Sequence, residues 1–123
     1  MSDSNVVRSG AIVALPADLI FGARIRASAE SVGEPVVIAK NPEDLLAKVR
    51  EGETRLVILD LDRRGLAITD VIQQLKATSP AMILAYVSHT QEDAIREAKS
   101  AGADKVIARG AFANQIGELL KLY

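Results

Sequence analysis

Short runs of consecutive aliphatic residues recur along the chain, separated by segments with helical spacing. The runs are AIVAL at 11–15, PVVIA at 35–39, LVILDL at 56–61, AMILAYV at 81–87 and a weaker KVIA at 105–108. Unbroken apolar runs, in contrast to alternating ones, are typical of strands that are covered on both faces, as in parallel sheets. The pattern therefore predicts five buried parallel strands.

The segments between and after these runs carry apolar residues at spacings of three and four, which predicts a helix after each strand. Capping residues mark the expected helix starts, and glycine or proline marks the expected ends. The predicted boundaries are roughly Ala17 to Ser31, an Asn41 cap to Gly52, Ile68 to a stop at Pro80, a Thr90 cap to Gly102, and a final helix within 110–123. Strands that alternate with such helices predict a three-layered, doubly wound α/β domain.

The size and composition favour one soluble domain, expected over residues 10–123 after a flexible tail at 1–9. Aromatic residues make up only 3% of the chain, so the core is expected to be aliphatic. Fifteen basic and sixteen acidic residues give a net charge of -1, which argues against binding to nucleic acid or to an anionic membrane. The absence of cysteine excludes disulfides and thiolate chemistry. With no apolar run of membrane-spanning length, a cytoplasmic protein is expected.

Candidate chemistry lies where the predicted strands end. In a doubly wound sheet the carboxyl ends of the strands form one edge, and ligands bind there. The residues expected along this edge, strand by strand, are Leu15 and Pro16, Lys40 and Asn41, Asp60 and Asp62, Ser88 and His89, and Ala108 and Arg109.

Three motifs on this framework resemble the receiver domain of two-component response regulators: VILDLD at 57–62, AYVSH at 85–89 and SAGADKVI at 100–107. The resemblance covers about residues 10 to 123. It implies a flavodoxin-like (βα)5 fold with strand order 2-1-3-4-5. It also implies that Asp60 holds the phosphoacceptor position and Ser88 the position that senses the phosphoryl group. Asp62 takes the position that supplies a backbone carbonyl to Mg²⁺.

The sequence also departs from the receiver pattern. Leu15 and Pro16 replace the acidic pair that holds Mg²⁺, so no metal cofactor is expected. Ala108 stands in the position of the lysine that pairs with the phosphoryl oxygens. Arg109 follows that lysine position by one residue. In a continuing strand this offset would turn its side chain to the opposite face of the sheet, whereas a loop would allow it to point inward. Lys105 replaces the aromatic residue that switches rotamer in many receivers. Without the acidic pair, Asp60→Asn is expected to change the free energy of unfolding by less than about 1 kcal/mol.

These observations predict a stand-alone pseudo-receiver domain that acts in signal transduction through protein–protein interaction and is not an enzyme. The expected partner is a signalling protein, either a histidine kinase or an output protein. The expected interaction face is the fourth helix, fifth strand and fifth helix, through which receivers also form homodimers. Its candidate residues are Arg96, Lys99, Lys105 and Gln115.

Several alternatives remain open on the sequence alone. One is an atypical receiver that is still phosphorylated at Asp60, with Asp18 as a substitute metal ligand. Another is a flavodoxin-like small-ligand-binding protein, although ALPADLIFG at 14–22 lacks a glycine- or hydroxyl-rich phosphate cradle. A third alternative is a divalent-metal site formed by Asp60, Asp62 and His89. In isolation, Asp60 is also explained as a residue that caps a turn.

Overall fold

The computed structural model describes residues 10–123, and the tail expected at 1–9 lies outside this range. Five strands and six helices follow one another along the described chain. They are β1 (Ala11–Leu15), α1 (Leu19–Ser31), β2 (Val36–Ile38), α2 (Pro42–Glu51), β3 (Thr54–Asp60), α3 (Ile68–Thr78), β4 (Met82–Val87), α4 (Glu92–Ala101), β5 (Lys105–Ala108), α5 (Arg109–Asn114) and α6 (Ile116–Leu122).

All strand pairs are parallel, and the sheet has the order β2-β1-β3-β4-β5. This confirms the flavodoxin-like doubly wound fold. Side chains on one face of the sheet pack against α2, α3 and α4, with Leu59 and Ile72 at the centre. Those on the other face pack against α1, α5 and α6, around Ile58 and Phe112. The strands are apolar on both sides because helices cover both faces.

The strands follow the apolar runs closely, and β1 and β5 match them residue for residue. The third strand begins earlier than expected, at Thr54, and ends at Asp60. Asp60 is therefore the last residue of a strand that has a paired neighbour on each side.

Two helix predictions need correction. The fourth helix has Gln91 as its N-cap residue, and that side chain makes no capping hydrogen bond, so the Thr90 cap was wrong. The final helix is interrupted at Gln115 and forms two short helices, α5 and α6. The Asn41 cap and the proline that follows it are confirmed, since the Asn41 side chain accepts from the Asp44 amide.

Two glycines are required for different reasons, one for its backbone conformation and one for close packing. Gly102 ends α4 at a φ of 118°, a left-handed conformation that glycine adopts without strain. A Cβ on Gly117 would lie 2.9 Å from a methyl group of Val32, so this glycine lets α6 approach the end of α1. Within residues 10–123, no helix is long and apolar enough to cross a membrane.

Candidate functional site

The carboxyl edge of the sheet brings together Asp60 at the end of β3, Asp62 and Ser88 in the loops after β3 and β4, and Arg109 at the start of α5. Asp60 is completely buried, while Asp62 and Arg109 are partly exposed. The sequence placed all four on this edge, and the structure joins them in one hydrogen-bonded network.

Four hydrogen bonds saturate the carboxylate of Asp60. Nη2 of Arg109 lies 2.7 Å from Oδ1 and 2.6 Å from Oδ2. The Asp62 amide donates to Oδ1 at 2.9 Å, and the Ala17 amide donates to Oδ2 at 3.1 Å. A buried carboxylate needs such partners because the protein interior otherwise penalises its charge. The chain itself therefore supplies all four hydrogen bonds to the buried carboxylate of Asp60.

Asp62 links three strand ends through one oxygen. Its Oδ2 accepts from the Ser88 amide and the Ser88 hydroxyl, both at 2.9 Å, and from Nε of Arg109 at 3.2 Å. The hydroxyl of Ser88, to which the resemblance assigns the phosphoryl-sensing position, thus donates to Asp62. The resemblance gave Asp62 only a backbone role, so sequence reasoning missed its side chain.

Arg109 reaches the site because the chain changes conformation at that residue. The strand β5 ends at Ala108, and Arg109 is the first residue of α5. The expectation that the one-residue offset turns Arg109 away holds only for a continuing strand and does not apply here. Burial alone would lower the pKa of Arg109, but its bonds to Asp60 and the charge of Asp60 outweigh burial and raise that pKa above its ordinary value. The guanidinium therefore stays charged.

Three of the chain's four aromatic residues form a cluster, and two of them contact this guanidinium. Tyr86 and Phe112 stack with ring centroids 4.3 Å apart, and Phe21 packs against both. The Arg109 guanidinium carbon lies 4.9 Å from the Phe21 ring centroid and 5.1 Å from that of Tyr86, so cation–π attraction adds to the ion pair. Sequence reasoning did not connect these residues with the site. The only sequence signal for this cluster was Tyr86, an aromatic residue within β4 in a chain that has few aromatic residues.

Tyr86 carries an unusual polar group into this cluster. Its hydroxyl is buried and has no hydrogen-bond partner among the residues that the structure describes. Burial, together with the nearby negative charge of Asp60, raises the pKa of Tyr86 far above its ordinary value. The phenol of Tyr86 is therefore protonated at neutral pH.

An arginine organises the loops over the first two strands. Arg63 donates to the Pro16 carbonyl at 2.7 Å and to the Lys40 carbonyl at 2.8 Å. Leu15 and Pro16 are buried. Asp18 does not reach back into the site, because its carboxylate accepts from the Phe21 amide at 2.8 Å and caps α1.

The residues present do not fit the Mg²⁺ that the resemblance implies. A hard dication requires several free oxygen ligands in near-octahedral geometry. Here the first loop offers buried apolar side chains, and Arg109 occupies both oxygens of Asp60. Across residues 10–123, no cluster of three or more acidic, histidine or cysteine side chains has the arrangement of a metal site. Asp60, Asp62 and His89 therefore do not form such a cluster in the described part of the chain.

The other predicted residues are exposed. His89 and Ala108 lie beside the network, on the wall of a cavity that Ser88 and Arg109 also line. On the predicted interaction face, Arg96 pairs with Asp93 within α4, and Lys99, Lys105 and Gln115 are open to solvent on α4, on β5 and between the last two helices. None of these four takes part in the network at Asp60.

Comparisons with known proteins identify the fold. The sequence matches no protein-family model, and no curated protein matches it either. Solved structures do match. A response regulator from Thermotoga maritima is 19% identical with a TM-score of 0.78, and the match covers 94% of this chain and 97% of that one.

Two further structures agree with that likeness. A CheY-like receiver domain from Methanospirillum hungatei is 19% identical, with a TM-score of 0.76 over 92% of this chain and 94% of that chain. The chemotaxis response regulator CheY4 of Vibrio cholerae is 16% identical, with a TM-score of 0.75 over 94% and 98%. The chain therefore has the fold of a response-regulator receiver domain along nearly its whole described length.

Proposed function

We propose that this chain is a pseudo-receiver, a signalling module that keeps the receiver fold and acts through protein–protein contacts without phosphoryl transfer. The observation that carries the proposal is the pairing of Arg109 with both oxygens of Asp60. An aspartate that accepts a phosphoryl group needs a free oxygen to attack phosphorus and a cation to neutralise the incoming charge. Asp60 has its oxygens bonded to an arginine of the same chain, and the metal ligands are replaced by Leu15 and Pro16.

The proposed output surface is the exposed side of α4 and β5 together with the two short helices after β5. Arg96, Lys99 and Lys105 present positive charge there, and Gln115 lies at the break between the helices. The proposed partner is a histidine kinase or an output protein, and a homodimer through the same surface is the proposed self-association. No catalytic step is assigned to the chain.

Complementation in the source organism tests this function. A deletion strain is complemented with the wild-type gene, with Asp60→Asn, or with a combined Arg96→Glu, Lys99→Glu and Lys105→Glu variant, and the abundance of each protein is measured by immunoblot. The pseudo-receiver proposal predicts that Asp60→Asn complements and that the charge-reversed surface does not. Failure of Asp60→Asn at normal abundance, with full activity of the surface variant, would contradict it.

A second candidate function is an atypical receiver that accepts a phosphoryl group at Asp60. The observation in its favour is Arg109 itself, because its guanidinium lies where a cation could pair with phosphoryl oxygens. This function requires Arg109 to release Asp60 and to hold the phosphoryl group without the usual metal ligands. A magnesium titration separates the two candidates. The pseudo-receiver predicts no saturable change in the Asp60 and Asp62 amide resonances at millimolar Mg²⁺, whereas the atypical receiver predicts saturation.

A further inference from the structure

A cavity of about 480 Å³ opens beside the Asp60 network, between the loop after β4, the start of α5 and the middle of α1. This volume lies in the range of pockets that hold small organic ligands. The cavity exists because the residues on its α5 side are small, namely Ala108, Gly110 and Ala113. The loop between β1 and α1 does not line this cavity.

Two guanidinium groups border this cavity, and both lie close to the ring of Phe21. The guanidinium carbon of Arg109 lies 4.9 Å from the Phe21 ring centroid, and that of Arg24 lies 6.0 Å from it. Arg24 is exposed and makes only a long contact, 3.4 Å, with the Ala113 carbonyl. The hydrogen bonds of Arg109 use Nε and Nη2, which leaves Nη1 without a partner among residues 10–123. Both arginines therefore retain donors for a ligand.

The neighbouring carboxylates leave these donors available for a ligand. Asp60 accepts four hydrogen bonds and is completely buried, and Oδ2 of Asp62 accepts three. Their bonds to Arg109 involve Nε and Nη2 and leave Nη1 free. Arg24 has no acidic partner among the described residues and keeps its whole charge. Two such guanidinium groups favour a planar or tetrahedral oxyanion.

We propose that this cavity binds a small organic anion, a carboxylate or a phosphate monoester attached to a flat apolar body. Arg24 and Nη1 of Arg109 hold the anionic group, and the apolar body packs against Phe21 and the small residues of α5. Because Arg109 also bonds Asp60 and Asp62, and Asp62 holds Ser88, such a ligand acts on the loop after β4. The proposal does not depend on whether Asp60 accepts a phosphoryl group.

Amide-resonance titrations with benzoate, phenyl phosphate, inorganic phosphate and the uncharged benzyl alcohol test the site, at constant ionic strength set with sodium chloride. We expect benzoate or phenyl phosphate to cause saturable shifts confined to residues 88–90 and 108–113 and to α1, with little effect from benzyl alcohol. The tighter of the two anions assigns the anionic group as carboxylate or phosphate. Equal binding of benzyl alcohol, or shifts that follow chloride concentration, would overturn the proposal, as would inorganic phosphate binding as tightly as phenyl phosphate.

Matched variants locate the ligand. Arg24→Ala should weaken binding by about tenfold, the scale of one charge-assisted hydrogen bond. Arg26→Ala removes an exposed arginine of the same helix that does not line the cavity, and it should leave affinity unchanged. Ala113→Leu should abolish binding by filling the cavity while the amide spectrum of the rest of the domain is preserved. Equal effects of the two arginine variants, or unchanged binding to Ala113→Leu, would contradict the proposed site.

Discussion

Nη2 of Arg109 lies 2.6 Å from Oδ2 and 2.7 Å from Oδ1 of Asp60, the carboxylate to which the receiver resemblance assigns the phosphoacceptor position. One side of this ion pair is completely buried and the other is about a quarter exposed. The buried carboxylate of Asp60 therefore has the counter-charge that it needs. The same arginine occupies the oxygens that an incoming phosphoryl group would have to reach. It accounts for both the stability of a buried carboxylate and its proposed lack of reactivity.

The first prediction concerns the energy of this pair. Arg109→Ala should lower the free energy of unfolding by roughly 2–4 kcal/mol, because it leaves a buried carboxylate without its counter-charge. Asp60→Asn should lower it by about 1–3 kcal/mol, since a neutral amide accepts weaker hydrogen bonds. This revises the small effect expected from the sequence, which did not include the complete burial of Asp60 or its four hydrogen bonds. Denaturant melts of both variants provide the measurement.

A double-mutant cycle makes this prediction specific. The combined variant should be less destabilised than the sum of the single variants by about 1 kcal/mol or more, since the two side chains act as a unit. Arg24→Ala is the control, an exposed arginine whose loss should change the free energy of unfolding by less than about 0.5 kcal/mol. Additive effects of Asp60→Asn and Arg109→Ala would show that the pair has no coupling.

The second prediction concerns the loop after β4. Asp62→Ala removes the acceptor of both the amide and the hydroxyl of Ser88, so amide hydrogen exchange should speed up at residues 88–91. Ser88→Ala removes only the hydroxyl and should have a smaller effect. Asp93→Ala, at a highly exposed carboxylate in the first turn of α4, is the control. Equal exchange rates in the Asp62 and Asp93 variants would rule out the role assigned to Asp62.

The fold could be predicted from the sequence because it depends on periodicity. The apolar runs, the Asn41 cap and the glycine after α4 report local backbone preferences, and each appears in the structure where it was expected. The break at Gln115 was missed because the apolar spacing continues through it, from Phe112 to Ile116 and Leu119. Spacing alone does not show whether a helix is continuous.

The site could be predicted only in part. The strand ends identified Asp60, Asp62, Ser88 and Arg109, because parallel strands bring their carboxyl ends to one edge. Which side chains bond to one another depends on the exact residue at which β5 gives way to α5, and that residue decides where Arg109 points. The aromatic cluster was missed for a related reason, since Phe21, Tyr86 and Phe112 lie far apart in sequence.

The third prediction uses the buried hydroxyl of Tyr86. This group has no partner among the described residues. Tyr86→Phe should therefore leave the free energy of unfolding unchanged or raise it by at most about 3 kcal/mol. Tyr123→Phe, at the other tyrosine of the chain, is the matched control. A clear loss of stability in Tyr86→Phe alone would show that the hydroxyl has a partner that stabilises the fold.

The fourth prediction follows from the raised pKa of Tyr86. Above pH about 10 the unfolded state loses the phenolic proton while the folded state keeps it, so the unfolded state binds fewer protons and stability falls as pH rises. The contribution of this group is complete below that pH and declines by about 1.4 kcal/mol per pH unit above it. Melts at neutral and alkaline pH should show a shallower decline for Tyr86→Phe than for Tyr123→Phe. The same alkaline slope in both variants would contradict the assignment.

The fifth prediction concerns the loops held by Arg63. Arg63→Ala removes hydrogen bonds to the Pro16 and Lys40 carbonyls, so we expect a loss of about 1–3 kcal/mol and faster amide exchange at residues 16–18 and 40–41. Arg64→Ala is the control because this adjacent arginine is exposed and lies in the same loop. Matching behaviour of the two variants would show that Arg63 does not organise the first two loops.

The central claim, that Asp60 does not accept a phosphoryl group, is tested most directly by intact mass spectrometry of the protein after incubation with acetyl phosphate and Mg²⁺. A known active receiver domain treated in parallel serves as the positive control. Because Arg109 occupies both oxygens of Asp60 and Leu15 and Pro16 offer no metal ligands, we predict that the mass stays unchanged while the control gains a phosphoryl group. A phosphoryl adduct that disappears in Asp60→Asn would contradict the pseudo-receiver account and establish the atypical receiver in its place.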